Sequence, residues 1–190
     1  MKERPAHDRI SASAPLVAPP VGWRGAGRDW GAPMYRKRGF REKLADSKDF
    51  PRVQPLSGGM KRWWGPGTIV LPAPWEVDAL MRRVPKGKVI TINQLREVLA
   101  RRHRATVACP IVTGIHARTA AGAAGEDEVA GRRRVTPYWR TLKVGGEVNA
   151  RYPGGLAGQR RRLEAEGLTV VARGTRLFVR DHERFLAALR

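Results

Sequence analysis

The chain has a single cysteine, Cys109, so no internal disulfide framework can staple its 190 residues together. No apolar run approaches the roughly 18 residues that a membrane-spanning helix needs. Nor does any segment pair a strong apolar face with a Lys/Arg face, so neither crossing a bilayer nor lying on one is expected. The first residues, MKERPAHDRISASAPLVAPP, lack the apolar stretch of a secretory signal, and with the lone thiol they point to a reducing, cytosolic setting. Metal-ligand spacing is missing too: His103 and His116 have no second cysteine near them, and the acidic cluster Glu126, Asp127 and Glu128 reads as solvated surface. No metal and no cofactor are therefore expected. Acid is scarce overall, with 17 Asp and Glu against 37 Lys and Arg.

What is present is arginine. Of the basic residues 29 are Arg and 8 are Lys, and the formal charge is +20, which favours phosphate as partner through planar, bidentate, stacking cations. The length fits one domain with a core plus an extension. Residues 1–60 are rich in Pro and Gly, carry no sustained helix or strand period and read as an irregular basic arm; residues 61–190 read as the domain. Within the arm, Trp23, Trp30, Tyr35 and Phe40 alternate with Arg24, Arg28, Arg36, Lys37, Arg38 and Arg41. That mixture either stacks on bases while neutralising phosphates or lies on the domain surface.

From Pro74 the pattern turns regular. Val77, Leu80, Met81 and Val84 fall at i, i+3, i+4, i+7 on one helix face, with Pro74 in the first turn. A second helix opens at TINQ with a capping box, Thr91 to Gln94, and buries Leu95, Val98 and Leu99. A third spans about 109–124, with Pro110 in its first turn, Ile111, Val112 and Ile115 as its apolar residues, and many Gly and Ala that let a backbone approach closely. Near the end, LAGQRRRLEAEG predicts a helix stopped by Gly167, LTVVARGTRLFV a hairpin turning at Arg173-Gly174-Thr175, and DHERFLAAL a last helix. The fold class expected is mainly α with a small β-hairpin: a winged helix-turn-helix-like DNA-binding domain, its third helix the groove-entering element.

Three further segments occur in order: VPKGKVITINQLREVLA, then PYWR, then GGEVNARYPGGLAGQRRRLEAEG. Together they resemble the DNA-binding domain of the alkylguanine-DNA alkyltransferase family over residues 74–167, about half the chain. That family reads V-P-x-G-x-V-x-T/S-Y-x-x-[IL], P-C-H-R, G-x-x-x-x-Y-x-G-G-L and L-x-x-E-G. The resemblance puts Tyr138 at the cysteine that accepts the alkyl group and Trp139 at the histidine that activates it. A phenol is a poor nucleophile at neutral pH and has no imidazole beside it, so the usual transfer cannot run. By the same alignment Pro110 stands at the arginine that fills the vacated base stack, Ile92 at the nucleotide-rotating tyrosine, and Pro153 at a hydroxyl residue, while Glu166 matches the family glutamate. The alkyltransferase-like branch, which replaces the cysteine by tryptophan and binds alkylated DNA without transfer, is closest in kind.

The leading expectation is a non-enzymatic protein that binds double-stranded DNA, alkylated or not, and takes part in repair. It would be a cytoplasmic, nucleoid-associated monomer with a repair protein as a further partner. Pro110, Thr113, Gly114, Arg118, Tyr138, Trp139, Arg140, Arg151, Tyr152, Arg160 and Arg161 are the candidate DNA contacts, with Arg162 continuing the last run. Tyr138 and Trp139 either sense a modified base or fill the pocket left by the absent catalytic pair. One alternative is an active alkyltransferase with its nucleophile moved to Cys109, where a helix dipole and nearby arginines would favour a thiolate; the other reading of Cys109 is a small core residue. Another alternative is a basic RNA-binding module, since charge does not distinguish nucleic acids.

Overall fold

Six residues are too few to hold a helix in water by themselves, yet FREKLA, inside the segment read above as an arm, is helical. A computed structural model of the chain describes residues 38–189, so Trp23, Arg24, Arg28, Trp30, Tyr35, Arg36 and Lys37 lie outside the described residues. This first helix, α1 (Phe40–Ala45), is held from outside. The carboxylate of Glu126 accepts the amides of Phe40 and Arg41 at 2.8 and 3.0 Å, satisfying two orphan donors and placing negative charge at the positive helix end. Strand β1 (Arg52–Pro55), helix α2 (Gly58–Trp64) and strand β2 (Thr68–Leu71) follow, with β1 antiparallel to β2 in the register Val53 to Val70. The boundary near residue 60 is thus corrected: residues 38–60 belong to the folded unit. Their strand is short and mostly exposed, so it carries no alternating signal.

The predicted helices come next. Helix α3 (Pro74–Arg82) buries Val77, Leu80 and Met81, with Val84 just beyond it. Strand β3 (Ile90–Thr91) leads into α4 (Ile92–Arg102), where both halves of the Thr91–Gln94 capping box form. Strand β4 (Val107–Ala108) pairs parallel with β2 and delivers the chain to α5 (Pro110–Val129), 20 residues long. This helix overruns its expected end because the acidic run has partners. Glu126 holds α1, Asp127 pairs with Arg41 and Arg132, and Glu128 pairs with Arg162.

The face of α5 that packs inward is the reverse of the one the isoleucines suggest. Thr113, His116, Ala117, Ala120, Ala121 and Ala124 form the buried stripe, whereas Ile111 and Ile115 are 71% and 56% exposed. Close packing explains the choice: α5 lies against α1 and α3, and small side chains let it approach. A Cβ on Gly122 would come within 2.4 Å of the Phe40 ring, and one on Gly125 within 2.8 Å of Pro153. The glycines thus accommodate other parts of the protein; Gly114 alone among those in α5 faces open space.

Strand β5 (Thr141–Leu142) pairs parallel with β3, and α6 (Gly155–Glu164) ends before Gly167, whose φ is +84°. The expected hairpin forms from β6 (Val170–Arg173) and β7 (Arg176–Val179), closed across Arg173 and Arg176. It covers a second apolar cluster of Val89, Leu142, Val148, Leu163, Leu168, Val170 and Val179. The last helix does not form. After one 3-10 turn (His182–Phe185) the backbone extends so that Val89 donates to Phe185 O at 2.9 Å and Ala187 to Val89 O at 2.8 Å. Bridging Val89 satisfies the same backbone groups that a helix would use and buries Ala187.

Candidate nucleic-acid interface

Because the alanines of α5 face inward, Pro110, Ile111, Gly114, Ile115 and Arg118 form the opposite stripe, at i, i+1, i+4, i+5 and i+8. They line one wall of a cleft of about 1430 Å³. Phe40 and Lys43 of α1 with Arg38 and Gly39 before it form another, and Leu142 to Val144, Glu147 and Asn149 to Tyr152 line the rest, with Ile92 at the start of α4. The surface mixes apolar area with cations. Val144 is 60% exposed, while Arg118 and Arg151 are exposed and have no carboxylate partner among the described residues. The acids are engaged: Glu126 by the α1 amides, Glu147 by Lys143 and by Arg176 at 3.4 Å. A concave, cation-lined wall built on one exposed helix face is suited to a polyanion.

Tyr138 and Trp139 are elsewhere. Pro137 leads into a single 3-10 turn, Tyr138–Arg140, that carries Tyr138 into the main core at 1% exposure. Its hydroxyl donates to Glu128 at 3.3 Å, and its ring stands edge-on to Trp139 and Tyr152. Burial pushes the phenol above its ordinary value, and the carboxylate of Glu128 adds to this against the opposing field of Arg162. Trp139 spans the seam between the two apolar clusters. Its indole N–H donates to Glu166 at 2.7 Å, and the guanidinium of Arg162 lies 4.5 Å from its ring centre, with that of Arg140 at 5.5 Å. Arg162 in turn pairs with Glu128 at 2.8 Å, closing a network that joins α5, the 3-10 turn and α6.

Glu166 is the centre of that network. It accepts from Trp139, from Arg140 through a two-pronged contact at 2.8 and 2.9 Å, and from the amide of Gly87 at 3.0 Å. Burial alone would raise its pKa, but the hydrogen bonds from Arg140, Gly87 and Trp139 outweigh it and hold the carboxyl below its ordinary value. Arg140 also donates to Val84 O at 2.7 Å, so each of its three guanidinium nitrogens has a partner inside the fold.

Of the residues expected to touch DNA, the structure brings Pro110, Gly114, Arg118, Arg151 and Tyr152 to the cleft. Tyr152 is 4% exposed, a buried floor rather than a projecting contact. Thr113 is corrected to the core: it is fully buried and its hydroxyl donates to Cys109 O at 2.7 Å. Tyr138, Trp139 and Arg140 are internal, because each meets a partner that outcompetes solvent. Arg160 and Arg161 are exposed on α6 but do not line the cleft, and Arg160 pairs with Glu164. Cys109 precedes α5 and packs against the cluster of Leu56, Ile69 and Val107, outside the cleft lining. Sequence reasoning missed Ile111, Ile115, Lys143 and Val144; the signal for the first two was their shared stripe with Pro110, Gly114 and Arg118. Among the described residues no group of three or more His, Cys, Asp or Glu is placed to hold a metal, and no helix is long and apolar enough to cross a membrane.

No family model and no curated protein matches the chain. Two solved structures are similar. One is S. pombe Atl1 in complex with damaged DNA containing O6-carboxymethylguanine, at 17% identity and a TM-score of 0.43. The other is S. pombe ATL in complex with DNA, at 18% identity and a TM-score of 0.45. Each similarity covers 61% of this chain and 94% of the other.

Proposed function

We propose that the chain is a non-enzymatic, double-stranded-DNA-binding protein of alkyltransferase-like type, seating the outward stripe of α5 and the flanking Arg118 and Arg151 against the duplex. The observation that carries this reading is the inversion of α5. A helix that hides its alanines and presents Pro110, Ile111, Gly114, Ile115 and Arg118 in a cation-lined cleft is built for contact along that face. The charge of +20, with Arg118 and Arg151 free of a carboxylate partner among the described residues, favours a phosphate backbone as the occupant.

Transfer chemistry is disfavoured at Tyr138: at 1% exposure the phenol has no access to a substrate, and burial together with the Glu128 carboxylate holds its pKa above the ordinary value, so it stays protonated and a poor nucleophile. Recognition of an alkylated guanine and a role in repair belong to the same proposal, as do a cytoplasmic, nucleoid-associated location and a further repair-protein partner. The test is titration of the protein against duplexes with and without O6-alkylguanine over a range of salt, followed by intact-mass measurement. Expected are binding that weakens steeply with salt, tighter binding to the alkylated duplex, and no added mass. About six phosphate contacts give a log-log salt slope near −5. Salt-independent affinity removes nucleic acid as the partner; an adduct abolished by Cys109→Ser replaces the non-enzymatic reading with a relocated nucleophile.

A further inference from the structure

From Pro51 to Trp75 the chain contains no acidic residue, and it carries Arg52, Lys61 and Arg62. This window is the β1–α2–β2 unit. Helix α2 has no buried residue; Trp63 is 83% exposed and Trp64 38%, beside Lys61 and Arg62. A tryptophan buries up to about 250 Å² when it packs, so leaving one in water forgoes a large favourable term. The base of this excursion is anchored. Leu56 donates to Gly67 O at 2.8 Å and closes the base of the excursion, and Thr68 donates to Thr106 Oγ1 at 3.1 Å. Gly67 lies so close to Thr106 that a Cβ there would stand 2.0 Å from the hydroxyl oxygen. A loop evolved only for solubility would need neither the anchoring nor the indole.

Its position gives the indole a purpose. Strand β2 pairs with β4, which ends at the residue before the helix cap; Cys109 then donates to Val70 O at 2.9 Å. Met60 of α2 shares an apolar cluster with Cys109, and Pro110, the next residue, lines the cleft. Helix α2 is therefore tied to the entry end of α5.

We infer that Trp63, which follows Lys61 and Arg62 on α2, is a second nucleic-acid site that stacks on an unpaired base of a strand leaving the duplex held by α5. Within a duplex every base face is covered by its neighbours, so an indole on the protein surface finds a free face only at an end, a junction or a flipped position. Cations on the same short helix add electrostatic attraction for the strand's phosphates. The acid-free, cation-bearing segment disfavours a basic peptide, and nucleic acid complements both its charge and its indole. The inference rests on the DNA-binding reading above and adds to it a preference for where on DNA the protein settles.

The test uses the full chain and two labelled probes: a blunt 16-base-pair duplex, and the same duplex with six-thymidine single-stranded extensions, 3′ or 5′. Wild type is expected to bind one tailed form more tightly than the blunt one. Trp63→Ala should lose about 5- to 150-fold on the preferred tailed probe, the span of stacking on one base, with less than about two-fold change on the blunt probe. Trp63→Phe should restore most of the loss, and all three proteins should melt alike because position 63 is exposed. A tail that adds nothing in wild type, or a preference that survives Trp63→Ala, overturns this inference while leaving the proposed function standing if the blunt duplex is bound. Failure to bind either probe overturns the reading beneath it. A change in oligomeric state on Trp63→Ala would assign the indole to a protein contact and likewise overturn the inference.

Discussion

Gly122 and Phe40 should behave as one unit. Gly122→Ala places a methyl carbon 2.4 Å from the Phe40 ring, a distance at which one of the two must move. Overpacking of this kind costs about 1–3 kcal/mol. Against it stands the helix preference of Ala over Gly, about 0.5–1 kcal/mol in favour of the variant. The net expectation is a loss of about 0.5–2 kcal/mol. Removing the ring should reverse the sign. Phe40→Ala costs about half of the usual 3–5 kcal/mol, since Phe40 is only half-buried, and leaves room for the new methyl. In that background Gly122→Ala meets no ring and should stabilise by about 0.5–1 kcal/mol. The assay is urea unfolding of the wild type, both single variants and the double variant, with equal slopes confirming that one transition is compared. A Gly122→Ala effect of the same sign and size in both backgrounds would refute the docking of α1 on α5, and with it the wall that α1 contributes to the cleft.

Trp139→Ala should lower stability by about 3 kcal/mol through lost burial at the seam between the two clusters, and should change DNA affinity only as far as the fold is lost; unchanged melting with weaker binding would show an indole that faces DNA. Glu166 is held below its ordinary pKa when folded, so its stabilisation is complete above the ordinary carboxylate range and disappears as pH falls through the folded value; Glu166→Gln should flatten that part of the pH–stability curve and lower stability at pH 7. An acid limb identical in the two proteins would show that Arg140 draws nothing from the pair. Reversal of charge at Arg118 and Arg151 should weaken binding to all duplexes and reduce the salt slope by about 2, while the same change at Arg160 and Arg161, off the cleft, should do less. Equal effects from the two pairs would place DNA across α6 as well.

The helices that carry most buried apolar area were the legible ones. Val77, Leu80, Met81 and Val84 lie at the spacing a single helix face requires, and the Thr91–Gln94 box marks a start that local chemistry alone determines. The hairpin was legible because Gly174 accepts the positive φ of its turn. What stayed hidden depends on distant partners. Nothing within FREKLA announces a helix whose first amides are capped by Glu126, 85 or more residues away. The side of α5 that faces inward follows from how closely α1 and α3 approach, and hydrophobicity ranks Ile above Ala without registering that closeness. The position of Tyr138 was legible from its motif, but its burial follows from Glu128, Tyr152 and Trp139 closing around it.

The chain of contacts from Glu128 through Tyr138, Arg162 and Trp139 to Glu166 bears on what single replacements can reach. A cysteine at 138 would remove a buried ring and leave a void in the core, and Glu128 would keep only its pairing with Arg162. A histidine at 139 would exchange the indole that seals the seam for a smaller ring. Each replacement alone is destabilising, and because the edge-on pair and its two carboxylates pack as one piece, the two positions are coupled: the double replacement should cost less than the sum of the two single ones.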